Sequence, residues 1–387
     1  MTRPLDVHAA VSARYSAAAQ AREESLCCPI RYDPALLAVI PEEVVARDYG
    51  CGDPTRHVRA GETVLDLGSG SGKACFMAAQ VVGAAGRVIG VDQDDAMLAL
   101  ARGAAPVVAE RIGFPNVEFR RGRIEDLALD LDAVDRFLAE HPVRSAADLG
   151  ALDAELARIR RESPLVADGS VDVVVSNCVL NLVEPSAKER LFREIHRVLR
   201  RGGRAVISDI TCDEDVPAEL QADPELWSGC VSGALREDLF LRAFEDAGFF
   251  GIRILERAAE PWRVVAGIEF RSLTVEAWKG KDGPCIDRKQ AVVYKGPFRE
   301  VVDDDGHTFR RGIRTAVCEK TFHILTTGPY REHVEPIHPL VLPSLEGSRP
   351  FPCTAGALLR HPRETKGEDY QLTTEAGGAC GPGGGCC

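Results

Sequence analysis

Two rhythms of apolar residues alternate through the middle of the chain. Short runs rich in Val, Ile or Leu occur at Thr63–Leu67, Arg87–Val91, Val117–Arg120, Val171–Ser176 and Arg204–Ser208. Their length and composition predict buried strands. Between several of them, residues 73–82, 94–112 and 186–200 read as helices. This alternation predicts an α/β fold, a parallel sheet with helices on both faces. Residues 127–168 break the rhythm. Leu131, Val134, Phe137 and Leu138, then Leu149, Leu152, Leu156 and Ile159, are spaced as two amphipathic helices around His141-Pro142. That is long for a strand connection, so it reads as a helical insertion.

The flanks differ. Residues 1–60 predict a helical segment, with Pro41 at a helix start before Glu42–Arg47, ending in the loop Tyr49-Gly50-Cys51-Gly52-Asp53-Pro54. From about 260 the chain turns β-rich, at 267–278, 289–295 and 312–326, with a turn at Asp303–His307. The expected organisation is therefore a 1–60 segment, a 61–258 α/β domain, a smaller 259–376 α+β domain and a Gly/Cys tail at 377–387. The tail is Gly-rich, with no large apolar residue to build a core, and is expected to be disordered.

Charge narrows the partners. Lys and Arg number 47 against 59 Asp and Glu, a net −12, which disfavours nucleic acid and anionic membrane surfaces. No apolar run reaches the roughly 18 residues of a membrane span, and Met1–Ser25 has no signal-peptide core. The expectation is a soluble cytoplasmic protein, and nothing requires more than a monomer. Cysteine is the unusual count: thirteen, at 27, 28, 51, 75, 178, 212, 230, 285, 318, 353, 380, 386 and 387. An odd number without an export signal argues against a disulfide framework.

The chemistry begins at Val64-Leu65-Asp66-Leu67-Gly68-Ser69-Gly70-Ser71-Gly72, a strand running into a glycine-rich turn and a helix. Lys73 stands where the dinucleotide fingerprint needs glycine. Gly68, Gly70 and Gly72 let a ligand approach the backbone, and Asp66 suits a cationic or hydroxyl-bearing one. Asp92 ends the second strand, placed to bind ribose hydroxyls. Together these residues resemble the Rossmann-like class I S-adenosylmethionine-dependent methyltransferases. On the same sheet edge, Ile124 and Glu125 follow the third strand and Asn177 the fourth. Asp126 is expected to cap a helix.

Three cysteines sit at the ends of separate segments: Cys51 before the first strand, Cys178 after the fourth and Cys230 after the fifth. Tyr49-Gly50-Cys51-Gly52, Leu65–Gly72, Ser176-Asn177-Cys178-Val179-Leu180-Asn181-Leu182 and Trp227-Ser228-Gly229-Cys230 resemble the serial motifs of the arsenite methyltransferases over about 45–330. The resemblance implies that Cys51, Cys178 and Cys230 bind trivalent arsenic, delivered as arsenite or its thiol conjugates, and that S-adenosylmethionine is the methyl donor. It implies that Tyr49, Gly68, Asp92, Gln93, Ile124, Glu125 and Asn177 line the donor. Gln93 departs from the Met often found in the family. It further implies a disulfide between Cys51 and an upstream cysteine, here Cys27 or Cys28, reduced by thioredoxin or glutathione.

Cys380, Cys386 and Cys387 are either a metalloid trap or a dispensable tail. Cys75, Cys212, Cys285, Cys318 and Cys353 match no ligand motif and read as structural, and no histidine spacing suggests structural zinc. Two rival readings remain. One is a methyltransferase for another soft metalloid or a small organic substrate; the placement of three thiols counts against the organic substrate. The other is a metalloid- or zinc-binding protein on an inactive methyltransferase fold, against which the intact glycine loop, Asp66 and Asp92 count.

Overall fold

The computed structural model describes residues 6–21, 23, 30–353, 358–367 and 370. Cys27, Cys28, Cys380, Cys386, Cys387 and the 377–387 tail lie outside them. The chain divides into two units, Met1–Gly280 and Lys281–Cys387.

The first unit opens with α1 (Val7–Gln20), α2 (Pro34–Leu37) and α3 (Glu42–Ala46). The alternating segment follows: β1 (Thr63–Leu67), α4 (Lys73–Val82), β2 (Arg87–Asp92), α5 (Asp95–Ile112) and β3 (Val117–Arg121). The insertion forms α6 (Leu131–Glu140) and α7 (Ala146–Glu162), before β4 (Val171–Asn177), α8 (Pro185–Val198) and β5 (Leu199–Cys212). Then come α9 (Ala218–Gln221), α10 (Pro224–Ser228), β6 (Leu235–Arg236), α11 (Glu237–Asp246), β7 (Phe250–Arg257), β8 (Arg263–Val265) and β9 (Ile268–Trp278).

The sheet order is β3-β2-β1-β4-β5-β9-β7, with β6 on β5 and β8 on β9. The strands β1 to β5 run parallel, while β9 is antiparallel to β5 and β7 to β9. Period-two alternation splits the core. Leu65 and Leu67 of β1 pack in one apolar cluster, with Phe192 and Phe244. Val64 packs in another, with Phe76 and Met77 of α4. Asp66 therefore faces the α4 side of the sheet. Helix starts are capped by side chains: Asp94 accepts from the Ala96 and Met97 N–H groups, and Ser145 from that of Asp148.

Three expectations shift. The domain boundary falls after Gly280 rather than at 259, because the strand expected to open the second domain, β9, pairs with β5 along nine residues from Arg204 to Cys212. Asp130, not Asp126, caps α6; Asp126 is instead paired with Arg160 at 2.8 Å. In 312–326 only β14 (Arg314–Ala316) is extended. The sulfur of Cys318 accepts from the Thr321 N–H and starts a helix there.

The second unit holds β10 (Ile286–Asp287), β11 (Ala291–Tyr294), β12 (Glu300–Val302), β13 (Thr308–Arg310) and β14, then α12 (Glu319–Thr327), β15 (Val334–Ile337), β16 (Arg349–Pro350) and α13 (Pro362–Lys366). The strand β11 lies between β14 and β15. Val292, Tyr294, Phe309, Phe322 and Leu325 form its core. Among the described residues, no helix is long and apolar enough to cross a membrane.

Candidate active site

In an open parallel sheet, ligands bind beyond the carboxyl ends of the strands. A cleft of roughly 1030 Å³, its mouth included, opens there. Its wall contains Tyr49, Asp66, Gly68, Gly70, Asp92, Gln93, Ile124, Glu125, Asn177 and Cys178. Gly72 is not in that wall. It precedes α4, and a Cβ there would meet the Phe119 ring at 2.7 Å, so its role is close packing.

The glycine loop is held from below. The Gly70 N–H donates to Asp92 Oδ2 at 2.8 Å, and the Asp94 N–H to Asp92 Oδ1 at 2.9 Å. Gly68 has φ +65, and a Cβ on it would lie 2.4 Å from Val179. Burial pushes the Asp66 carboxyl up to about 7, although the Cys75 thiol donates to it at 3.2 Å and opposes the shift. Burial raises Asp92 too, against the two N–H bonds.

Above this loop lie the sulfurs. The sulfurs of Cys51 and Cys178 and a carboxylate oxygen of Asp209 all lie within 4.8 Å of one another. The Cys230 thiol donates to the Cys178 carbonyl at 3.2 Å. All three cysteines are buried in one apolar cluster with Ile210, Val231 and Phe270. Cys178 and Cys230 adopt φ of 64° and 61°, left-handed conformations unusual for any residue with a Cβ. A hydrogen bond from Cys230 works to lower Cys178, but its bond to Cys51 and burial hold it well above its ordinary value. Its bond to Cys178, followed by burial, raises Cys230 likewise. Both shifts hold Cys178 and Cys230 toward the thiol form.

Asn177 is the anchor of the Cys51 loop. The Cys51 and Gly52 N–H groups donate to its Oδ1 at 2.8 and 3.0 Å, and its Nδ2 donates to the Gly52 carbonyl at 2.7 Å. A Cβ on Gly50 would lie 2.2 Å from Nδ2, so the approach itself needs glycine. Lys73 ties the preceding residues down. Its ammonium pairs with Asp48 at 2.5 Å and lies 3.7 Å from the Tyr32 ring centroid.

The sequence reading missed two contributors. Asp209 is fully buried in β5 and accepts from the Leu180 and Ile210 N–H groups, both at 2.8 Å. Burial pushes it up to about 6. An acid inside the apolar run Val206–Ile210 was the available signal. The other is α1, whose His8, Val11, Ser12 and Tyr15 wall the cleft. The Tyr15 hydroxyl stands 3.9 Å from the Cys230 sulfur.

Known proteins are similar to this chain in sequence and fold. A methyltransferase-domain model matches residues 59–161 and 144–248, and a domain of unknown function matches 281–370. An arsenite methyltransferase of Aquipseudomonas alcaligenes is 35% identical over 80% of this chain and 84% of its own. This chain belongs to the arsenite methyltransferase family. Among other family members, the human arsenite methyltransferase is 29% identical over 90% of this chain and 85% of its own. The crystal structure of an arsenic(III) S-adenosylmethionine methyltransferase from Chlamydomonas reinhardtii matches with a TM-score of 0.53 and 28% identity, over 83% of this chain and 99% of that one. The fold is that of the class I S-adenosylmethionine-dependent methyltransferases, the α/β architecture expected from the alternating pattern.

Proposed function

We propose that this chain methylates trivalent arsenic with S-adenosylmethionine, the arsenic being held by Cys51, Cys178 and Cys230. The observation that carries the reading is the gathering of three sulfurs from separate segments in one buried apolar cluster beside the glycine-loop cleft. Soft trivalent arsenic prefers such ligands.

The cleft suits the donor. Ser69 Oγ is a buried polar atom with no protein partner, which a bound ligand would satisfy. Gly68, Gly70, Asp92, Gln93, Ile124 and Glu125 would hold S-adenosylmethionine, with the Asp66 and Asp92 carboxyls in the wall of the cleft it would occupy. When bound, it supplies a methyl group on a positive sulfur, whose transfer to the arsenic lone pair releases a neutral thioether.

The thiols load by condensation. Three S–H groups and the three hydroxyls of arsenous acid give three As–S bonds and three waters. Raised thiol pKa values are therefore no obstacle, since the product leaves no charge buried. Three sulfur ligands leave the lone pair as the nucleophile, and the transfer needs no general base. The protein's contribution is position, which can supply about 7–11 kcal/mol. Asn177 and Lys73 fix the Cys51 loop, and Tyr15 on α1 walls the pocket from solvent.

Methyl transfer leaves arsenic two electrons more oxidised. Return to the trivalent state takes those electrons from two thiols, which become a disulfide, and thioredoxin or glutathione restores them. Cys51 with Cys27 or Cys28 is the pair assigned here. This chemistry suits a reducing cytoplasm and needs no more than one chain.

The test is arsenic speciation after incubation with arsenite, S-adenosylmethionine and a thiol reductant. Methylated arsenicals are expected; only arsenite, with the donor still bound, would refute the reading. Trp227 is buried three residues before Cys230, so arsenite should change its fluorescence, and Cys178→Ser or Cys230→Ser should abolish the response.

A further inference from the structure

The second unit brings together three sulfurs that sequence spacing left apart and read as structural. The sulfurs of Cys285, Cys318 and Cys353 lie within 4.8 Å of one another. Pairing of β10 with β16 aligns Ile286 with Pro350, and the Phe351 N–H donates to the Cys285 carbonyl at 2.8 Å. That register sets Phe351 opposite Cys285 and brings Cys353, two residues further on, diagonal to it. Cys318 joins them from the N-cap of α12, its sulfur 3.2 Å from Thr321 Oγ1. Cys318 is buried, while Cys285 and Cys353 are partly exposed, so the group is reachable from solvent. A small pocket walled by Phe309, Val317 and Phe351 adjoins Cys318 and Cys353.

We propose that Cys285, Cys318 and Cys353 form a second, non-methylating site for a trivalent three-coordinate arsenical. In a three-coordinate pyramid with bonds of about 2.3 Å the sulfurs stand roughly 3.5 Å apart, so this triad closes by at most about 1.3 Å. Among the described residues no fourth Cys, His, Asp or Glu joins the group. A closed structural zinc site uses four protein ligands, whereas trivalent arsenic is complete with three. The surroundings favour sulfur ligation. The Thr321 N–H points at the Cys318 sulfur, and Lys320, donating to the Gly283 carbonyl at 3.3 Å, brings a positive charge near Cys285. Loading again exchanges three As–O bonds for three As–S bonds and releases three waters, with no change of oxidation state. It staples β10, β16 and the start of α12 together.

The test uses the full chain without S-adenosylmethionine, so its result is independent of turnover at the first site. Fully reduced protein is titrated with arsenite, pulsed with iodoacetamide and analysed peptide by peptide. Labelling of Cys285 and Cys353 should fall about tenfold or more with one shared midpoint, and Cys318→Ser should remove protection from both. As a second measurement, a variant with Cys27, Cys28, Cys51, Cys178, Cys230, Cys380, Cys386 and Cys387 all replaced by Ser should retain one arsenic per chain, with three sulfur neighbours by X-ray absorption. Unchanged labelling of Cys285 and Cys353 overturns the proposal, as does protection that survives Cys318→Ser. So does retention of one zinc, and no arsenic, by that variant.

Discussion

Replacing Asn177 by alanine separates two roles that the sequence could not. The family resemblance places this residue on the donor, yet its amide spans the Cys51 loop through the N–H groups of Cys51 and Gly52 and the carbonyl of Gly52. In Asn177→Ala two partly buried N–H groups lose their acceptor, at about 1–3 kcal/mol each. Water can reach part of this loop, so the lower half of that range applies, about 3 kcal/mol in total. Charged to the order of the loop, that is an arsenite affinity about 100-fold weaker, since 1.4 kcal/mol is tenfold. Arsenite titration followed by Trp227 fluorescence measures one side, and calorimetric titration of S-adenosylhomocysteine the other. Donor-product affinity should stay within about threefold. The opposite pattern, arsenite binding intact and the donor product bound about tenfold more weakly, would refute the anchoring role.

Other perturbations read other parts of the site. In Gly70→Ala the Cβ meets no protein atom within 4 Å, so its cost to stability is the backbone's alone, about 1–2 kcal/mol at φ +51, while S-adenosylhomocysteine affinity falls about tenfold or more. Gly68→Ala, whose Cβ would lie 2.4 Å from Val179, should lower the melting temperature further. Asp209→Asn tests the buried acid through pH. The folded pKa of about 6 exceeds the ordinary 3.8, so the native protein binds the extra proton and loses stability as pH rises from about 4 to 6. The loss is on the order of 3 kcal/mol, and the variant lacks it. Urea unfolding at pH 4 and pH 6.5 should show wild type losing ground to Asp209→Asn; parallel profiles would show that Asp209 is not desolvated.

How far the sequence reached depends on which forces it records. Strands β1 to β4 and helices α4 to α7 were legible because parallel strands are buried on both faces and read as continuous apolar runs. The insertion was legible from its amphipathic spacing. The boundary at 259 failed because β9 reads the same whether it pairs with β5 or opens a new sheet; pairing is long-range, and periodicity is local. Within the site, cysteines at segment ends pointed to Cys51, Cys178 and Cys230. Asp209 was hidden as one acid in an apolar strand, and α1 by alanines spread round the helix, which mark no single packed face. The second triad was invisible for the same reason as β9, since the β10–β16 pairing that gathers it leaves no spacing signature.

Backbone conformation gives the thiol site its sharpest physical test. Cys178 and Cys230 hold φ near +60°, where a side chain costs about 1–2 kcal/mol that glycine does not incur. Cys51 is not among the residues with positive φ. Alanine and glycine both delete the sulfur, so comparing them cancels its contacts and leaves mainly the backbone. Elsewhere glycine is less stable than alanine by roughly 0.5–1 kcal/mol. At 178 and 230 the order should invert, with Cys→Gly more stable than Cys→Ala by about 1 kcal/mol, whereas Cys51→Ala should exceed Cys51→Gly. Urea midpoints of the six variants decide it. Alanine ahead of glycine at both 178 and 230 would mean that these sulfurs are not held by a strained backbone. The inverted order would mean that the fold bears a cost at two of the three cysteines proposed to hold arsenic, where glycine would sit more easily and bind nothing.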